Sequence, residues 1–302
     1  MTAALLFFAL LLDAVLGEPP FLWSRFPHPA VVMGRGVAWA DGTLNHGAGR
    51  RIRGIIAMGG LAALAGLVGW GIALIPDFGI LEIAAAAILL AQRSLADHVR
   101  AVARALRQSV DKGRQAVAQI VGRDTAAMEP PDIARAAIES AAENLSDGVI
   151  APAFWFLIGG LPAMAIYKMV NTADSMIGHR TPRHAEFGWA AARLDDVLNW
   201  LPARITAGLI VLSHGRIAVA PILRDAGLHR SPNAGWPEAA MAFVLNTALS
   251  GPRSYGGAWQ DFPYLWPEGQ RTPNAGQIDA AVMALWRAWA LFVLLVGGIT
   301  IL

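Results

Sequence analysis

The sequence of 302 residues contains no cysteine and few charged residues. Without cysteine the chain has no disulfide framework, no thiolate metal site and no cysteine nucleophile. Charged residues make up only 15% of the chain, against about 25% in an ordinary soluble domain. Hydrophobic residues make up 55%, which excludes an intrinsically disordered chain. So few charges do not cover a water-soluble surface, and the composition therefore predicts an integral membrane protein.

The chain also lacks a strong charge of one sign and the common nucleotide motifs. The formal net charge is +2, which leaves no large basic field, and we expect no nucleic-acid partner. There is no P-loop, no credible dinucleotide fingerprint and no pair of histidines at a zinc-binding spacing. An internal repeat of the kind that transporters often show is also missing.

The clearest membrane segment is 54–75, which is uncharged and long enough to cross a hydrocarbon core about 30 Å thick. Arg50, Arg51 and Arg53 precede it, which predicts that its first end is cytoplasmic. The chain is expected to return through 78–92. We expect one membrane-embedded domain, residues 1–302, in the cell (inner) membrane, with about four to six spans. Weaker apolar segments occur at 3–16, 204–223, 239–249 and 280–302.

A more polar segment, 93–148, separates the first spans from the next apolar run. Its basic residues are spread through alanine-rich sequence, which predicts amphipathic helices on the cytoplasmic face. The following apolar run, 149–167, is interrupted by Gly159-Gly160-Leu161-Pro162, and both of its flanks are basic. We therefore favour a broken or re-entrant hairpin, which returns both flanks to the cytoplasm. The predicted fold class is all-α, a polytopic membrane helical bundle.

Polar residues beside apolar runs are candidates for function, and three clusters stand out. In the first, Arg135, Glu139, Glu143 and Asp147 recur every four residues and are expected to share one helix face. Like charges in a stripe repel unless a cation or basic partner lies among them, and Mg²⁺ prefers carboxylate and phosphate oxygens. A solvated stripe with an Arg135–Glu139 pair is the alternative interpretation.

The second cluster places Lys168, Asn171 and Ser175 on one helical face, with Asp174 beside it and Arg180 after the helix. Lysine and arginine suit a phosphate, and Asp174 suits a metal. Alternatively, this is a helix end with favourable basic residues.

The third cluster contains Arg193, Asp195, Asp196 and Asn199. Adjacent aspartates followed by an amide suit a Mg²⁺–phosphate site, although they could equally cap or solvate a helix. From the residues alone we expect a carboxylate-rich site on the cytoplasmic face that handles a phosphorylated substrate with Mg²⁺.

Three long motifs, 139–152, 171–178 and 187–196, resemble the cobalamin-biosynthesis CbiB/CobD family. So do Asp13, 17–19, 28–29, 231–237 and 255–257, in family order over nearly the whole chain. The resemblance implies an integral membrane enzyme with adenosylcobinamide-phosphate synthase activity. That activity joins adenosylcobyric acid to (R)-1-aminopropan-2-ol, or to its O-phosphate, through an amide bond, with ATP and Mg²⁺. It also implies a shared location with other late corrinoid-pathway enzymes.

Roles on the matching positions are hypotheses from their chemistry. Glu139, Glu143, Asp147, Lys168 and Asp174 are assigned to catalysis. Metal binding is assigned to Asp147, Asp174, Asp195 and Asp196. Substrate or phosphate binding is assigned to His28, Asn144, Asn171, Ser175, Arg180, Arg193, Ser231 and Asn233.

Two other functions remain as alternatives. A membrane prenyl- or phospho-transferase also places aspartate-rich Mg²⁺–diphosphate motifs at the cytoplasmic face of a helical bundle. A corrinoid transporter or binding protein would bind its substrate without ATP turnover, and its carboxylates would be dispensable for product formation.

Overall fold

The computed structural model describes residues 1–217, 219–255 and 257–301 and is mostly helical. Gly256 of the 255–257 motif and Ala218 of the weak apolar segment lie outside the described residues. The helices in chain order are α1 (Thr2–Leu16), α2 (Pro20–Trp23), α3 (Pro29–Leu44), α4 (Arg50–Ala73), α5 (Ile80–Leu89), α6 (Gln92–Gln108), α7 (Val110–Val117), α8 (Pro130–Leu145), α9 (Ala151–Ile177), α10 (Trp189–Leu198), α11 (Trp200–Leu212), α12 (Val219–Ala226), α13 (Gly235–Leu245) and α14 (Ala275–Ile301).

Four short strands lie between α13 and α14, where an all-α fold was expected. They are β1 (Leu249–Ser250), β2 (Arg253–Tyr255), β3 (Ala258–Gln260) and β4 (Tyr264–Leu265). Strand β1 pairs antiparallel with β4, and β2 pairs antiparallel with β3. Glycine and proline are frequent in this segment and interrupt helices, which is why the chain forms short strands and turns here.

Helix ends follow the local sequence signals. Helix α8 begins at Pro130, and Glu129 and Asp132 form a reciprocal capping box before it, as the proline pair predicts. Helix α9 ends at Ile177, and Gly178 follows as its C-cap. Both ends thus carry residues that ordinarily stand at helix termini.

Helix α9 is interrupted in its middle. Gly159 and Gly160 have non-helical backbone angles, and Gly160 adopts φ 64° and ψ −160°, a conformation that only glycine adopts readily. The Tyr167 hydroxyl lies 3.1 Å from the Asp147 carbonyl oxygen, whereas twenty residues of straight helix would separate their backbones by about 30 Å. Helix α9 therefore consists of two arms joined by a sharp bend at the glycine pair, which matches the predicted break, whereas a re-entrant path through the membrane stays a prediction.

Three helical segments of the described chain are long and apolar enough to cross a membrane: Arg50–Ala73, Pro130–Ile177 and Ala275–Ile301. Two shorter apolar helices, Thr2–Leu16 and Trp200–Leu212, accompany them. The segment Pro130–Ile177 is not one straight rod, because a π-helical turn (Ser146–Ile150) and the glycine pair interrupt it. These segments identify a membrane protein, with fewer long spans than the four to six expected.

The described chain divides into two compact units, each made of segments that are separate in sequence. The first unit contains Met1–Ala91, Asp147–Trp200 and Val296–Leu302, and the second contains Gln92–Ser146 and Leu201–Leu295. The expected single domain stays a prediction.

The core of the first unit is a close contact between α4 and the second arm of α9. Gly66 of α4 lies against the Ile166 side chain, and Gly69 lies against the backbone of Leu161 and Pro162. Small residues let helix backbones approach closely where lipid provides no hydrophobic drive. Helices α3 and α10 complete this core, with Val37, Met58 and Phe187 buried in it.

The second unit surrounds α8, which is buried along most of its length. Helices α6, α7 and α13 and strand β1 pack against it. Helices α6 and α7 confirm the helical prediction for the polar segment 93–148. Their apolar faces, with Val99, Val102 and Val117, are fully buried, so their arginines lie on the outer face.

Candidate functional site

In the first unit, a buried tyrosine joins residues from all three predicted motif regions. The Tyr167 hydroxyl lies 2.9 Å from Asn199 Oδ1 and 3.1 Å from the Asp147 carbonyl oxygen. Asn199 and Asn171 donate their amide protons to the two oxygens of Asp195, at 3.0 and 3.2 Å. We call Asp147, Tyr167, Asn171, Asp195 and Asn199 the Tyr167 cluster.

Three carboxylates surround this tyrosine. Asp147, Asp195 and Asp174 all interact electrostatically with the Tyr167 hydroxyl. Burial raises the pKa of the Asp195 carboxyl. The hydrogen bonds from the amides of Asn171 and Asn199 each lower this pKa, but by less than burial raises it. The second and third predicted clusters thus form one site, because both arms of α9 pack against α10.

The Lys168 ammonium group adds a positive charge beside the Tyr167 cluster. It interacts electrostatically with the carboxylates of Asp147 and Glu18. His28 belongs to the same neighbourhood, because it interacts with both Glu18 and Lys168. Lysine binds phosphate as a compact point charge. Lys168 and the Asp147 carboxylate lie in the same region, so a basic group for a phosphate and an acidic group for a metal ion are both present there.

His28 has a structural role at the start of α3. Its Nδ1 accepts a hydrogen bond from the Ala30 amide at 3.1 Å, which caps the helix, and its ring packs edge-on against Trp23. Burial lowers the pKa of the His28 imidazole, and Glu18 partly opposes this. In the neutral ring, Nε2 carries the proton, and a hydrogen bond between the ring and the Ile88 backbone also opposes the lowering of the pKa.

The donor chemistry of the Tyr167 cluster fits Mg²⁺ bound together with a phosphate. No group of three or more His, Asp or Glu side chains in the described ranges is arranged to hold a metal ion by itself. Mg²⁺ at phosphate sites takes only one or two carboxylates from the protein, and Asp147 and Asp174 supply that number. Asp195 is engaged by two amides, and Asp196 pairs with Arg193 at 3.0 Å on the surface.

In the second unit, Glu139 lies at the centre of a buried ion-pair network. Its Oε2 accepts from Arg253 Nη1 at 2.7 Å and from Arg123 Nη2 at 2.8 Å, while Oε1 accepts from the Ser250 amide at 2.7 Å. We call Arg123, Glu139, Ser250 and Arg253 the Glu139 network. With both oxygens engaged, the geometry favours a positioning role for Glu139 over metal binding or proton transfer.

The expected four-residue stripe on α8 is not one continuous surface. Arg135 pairs with Asp132 at 3.0 Å and donates to the carbonyl groups of Ala248 and Arg271, so the Arg135–Glu139 pair is wrong. Glu143 is exposed, whereas Arg135 and Glu139 are buried. Asp147 lies in the π-helical turn, where the extra residue in the turn ends the four-residue register.

A second buried carboxyl lies in this unit. Glu238 is 3% exposed, and its Oε1 lies 3.6 Å from His229 Nε2. Burial, with Glu139 and Glu143 adding to it, raises the pKa of Glu238 well above its usual range. Burial, with Arg253 adding to it, lowers the pKa of His229 to about 4. Since His229 is neutral above that pH, the contact is not an ion pair near neutrality.

The other predicted site residues lie apart from these centres or have local partners. Asn144 donates to the Ser140 carbonyl, and Ser175 donates to the Asn171 carbonyl of its own helix. Ser231 accepts from the amides of Asn233 and Ala234, and so shapes the turn before α13. Arg180 is exposed. Their predicted roles in binding stay predictions.

Sequence reasoning missed Tyr167, Arg123, Arg253, His229 and Glu238. Tyr167 lies directly before Lys168, within an apolar run where a tyrosine hydroxyl needs a partner. The position of Glu238 directly after the 231–237 motif could have marked it as a candidate. The excess of acidic over basic residues on the α8 stripe could have indicated that basic partners come from elsewhere in the chain. Neither signal identifies a partner more than a hundred residues away.

The fold and the sites together indicate a helical membrane protein with a half-buried polar centre of carboxylates, amides and one lysine. The sequence model of the CobD/Cbib protein family matches residues 6–285, and the chain belongs to this family.

Relatives match along almost their full length. The cobalamin biosynthesis protein CobD of Brucella suis biovar 1 is 48% identical over 301 residues, covering 94% of this chain and 92% of the relative. The protein of the same name from Rhizobium meliloti is 47% identical over 304 residues, with 94% and 92% covered. That of Rhodobacter capsulatus is 42% identical over 310 residues, with 99% and 98% covered. No solved structure matches the chain.

Proposed function

We propose that this chain is a membrane-bound amide ligase of cobalamin biosynthesis. It joins (R)-1-aminopropan-2-ol, or its O-phosphate, to the propionate carboxylate of adenosylcobyric acid, with ATP and Mg²⁺. The observation that carries the proposal is the hydrogen-bonded cluster that joins Asp147, Asn171, Asp195 and Asn199 to Tyr167 beside Lys168 in a member of this family. The names of the relatives support the pathway, and the carboxylate–lysine chemistry suits phosphoryl transfer.

The reaction proceeds in two steps in this proposal. The substrate carboxylate attacks the γ-phosphorus of ATP, which forms an acyl phosphate and releases ADP. The amine then attacks the acyl carbon, inorganic phosphate leaves, and the nitrogen loses a proton. Mg²⁺ would neutralise phosphate charge, and Asp174 would hold it together with the phosphate oxygens.

This chain's residues have separate tasks in that scheme. Lys168 holds a phosphate oxygen, and the Asp147 carboxylate takes the proton from the attacking amine. Tyr167 and the two asparagines hold Asp195 and the π-helical turn in place. Shielding the activated carboxylate from water prevents its hydrolysis, which the buried position of Tyr167 favours.

The membrane placement is part of the proposal. Residues Arg50, Arg51 and Arg53 favour a cytoplasmic start for α4, and the two arms of α9 are then a re-entrant hairpin that enters and leaves on that side. The Tyr167 cluster accordingly opens to the cytoplasm, where ATP and other late corrinoid-pathway enzymes are available.

The test is a ligation assay on detergent-purified protein with adenosylcobyric acid, either amine, Mg²⁺ and ATP, followed by mass spectrometry of the corrinoid. We expect the mass gain of the amide, absent without ATP and reduced at least about 100-fold in Asp147→Asn, since a positioned acid or base contributes that much. Asp97→Asn, on the exposed face of α6, is the matched control and retains activity.

Two other outcomes of this assay would favour the alternative functions. Corrinoid binding without a mass gain from either amine would favour a transporter or binding protein. Folded protein that neither binds corrinoid nor forms product would favour transfer from an isoprenoid diphosphate.

A further inference from the structure

Helix α12 exposes Val219 and Leu223, with Arg224 also exposed, and buries Ile222 and Asp225. Val219 is 65% exposed and Leu223 is 51% exposed, whereas Asp225 is 2% exposed. Ile217 and Leu228, at either end, are also exposed. A helix at a water-facing surface carries mainly polar side chains on its exposed face, whereas the exposed face of α12 carries two large apolar side chains.

The inward position of Asp225 is fixed by its partners. Its carboxylate accepts from Arg224 Nε at 2.6 Å and from the Trp266 amide at 2.7 Å. Arg224 also reaches Glu268 at 3.3 Å. Because these contacts hold α12 in its rotational setting, the exposed apolar face is a stable feature of this unit.

The length of the helix excludes a membrane span. Helix α12 has 8 residues and α11 has 13, so their lengths are about 12 and 20 Å, against a hydrocarbon core of about 30 Å. An apolar helix face that is too short to span fits the plane of the membrane interface, with its apolar side in the acyl boundary.

The charges around this face match anionic lipid headgroups. From 213 to 231 the chain carries three arginines, Arg216, Arg224 and Arg230, and one acidic residue, the buried Asp225. Arg216 and Arg230 are exposed at the two ends of the segment. Basic residues at the edges of an apolar face bind anionic phosphate groups at the membrane surface.

We propose that α12, with the flanking Arg216 and Arg230, is an in-plane membrane anchor, in which the apolar face of α12 inserts about 5–10 Å into the headgroup boundary and the two arginines bind anionic lipid phosphates. This anchor is separate from the membrane spans and from the proposed ligase reaction. It holds the turn with His229 and the start of α13 at the membrane surface.

The absence of cysteine allows a direct test by spin labelling. Val219→Cys and Leu223→Cys each give one labelled site on an exposed side chain, and Lys112→Cys on the exposed face of α7 is the matched control. In phosphatidylcholine–phosphatidylglycerol nanodiscs, we expect the ratio of oxygen to nickel-chelate collision rates to be about fivefold higher at 219 and 223 than at 112.

Equal ratios at all three sites would overturn the proposal. Disulfide cross-linking of Leu223→Cys between two copies in nanodiscs would also overturn it, because the face would then bind a second chain. The role of the two arginines in binding anionic lipids is tested separately. We expect the membrane depth of the labels at 219 and 223 to decrease in the Arg216→Gln/Arg230→Gln variant, and also in nanodiscs of pure phosphatidylcholine. Unchanged depth in both would remove the role of the arginines.

Discussion

Arg253 Nη1, at the start of β2, lies 2.7 Å from Glu139 Oε2 on α8, although 114 residues separate the two in sequence. Arg123 shares the same carboxylate oxygen. One negative charge thus pairs with two guanidinium groups, and this network joins strands β1 and β2 to the buried helix α8.

Removing the Glu139 charge leaves two guanidinium groups without their shared carboxylate. We expect Glu139→Gln to lower the free energy of unfolding by about 3–5 kcal/mol, the range for breaking a buried ion pair from one side. Thermal unfolding in detergent measures it. Glu186→Gln, which breaks the exposed pair with Arg50, should change stability by less than about 1 kcal/mol. Equal melting temperatures for the two variants would contradict the structural role of Glu139.

Replacing Tyr167 by phenylalanine removes the hydroxyl that the Asn199 and Asp147 carbonyl oxygens share. We expect Tyr167→Phe to cost about 1–3 kcal/mol, because buried acceptors then lose their donor, and to slow ligation because Asp195 is no longer held through Asn199. Unfolding and product formation are measured together. Thr43→Val, which removes an exposed hydroxyl from α3, is the control, and an equally small effect of both variants would argue against the cluster.

The neutral, buried His229 makes stability depend on pH. Its pKa is about 4 in the folded protein against an ordinary 6.5. Below pH 6.5 the unfolded chain therefore binds a proton that the folded chain does not. Stability is full above pH 6.5 and falls by up to about 3 kcal/mol as the pH drops towards 4. Melting temperatures measured from pH 7 to 4 should fall less steeply for His229→Gln. Parallel curves would rule out this source of the pH dependence.

Two glycines of α4 provide a matched pair for the α4–α9 packing. A Cβ on Gly69 would lie 2.9 Å from the Leu161 carbonyl oxygen, whereas one on Gly71 would have nothing within 4 Å. We expect Gly69→Ala to destabilise by about 1–3 kcal/mol through overpacking. Gly71→Ala should stabilise by up to about 1 kcal/mol through helix propensity. Opposite shifts in melting temperature would support the close contact, and similar shifts would disprove it.

The sequence predicts the helices and their ends well where the signals are local. The proline pair at 130–131 and the glycine at 178 act within one turn, so the boundaries of α8 and α9 follow directly. The break in α9 could be predicted because two adjacent glycines and a proline act in the same few residues.

The contacts of the sites were less predictable. Asp195 and Asn171 belong to separate motifs, and only the folding of α10 against α9 brings them together. Arg253 lies in a strand whose pairing depends on turns at Gly251 and Gly257, so no helical period marks it. Glu238 looks like an ordinary helix residue in sequence, and its raised pKa arises from burial, with the charges of Glu139 and Glu143 adding to it.

The return of the chain at Gly159–Gly160 also bears on the order of assembly during synthesis. The contact between Tyr167 and Asp147 closes a short loop, which is entropically cheap and is complete before residue 195 leaves the ribosome. The two arms of α9 can therefore pair during insertion, and α10 then docks on a hairpin that already exists. A substitution at Gly160 would on this basis reduce the yield of inserted protein before it affects any chemistry.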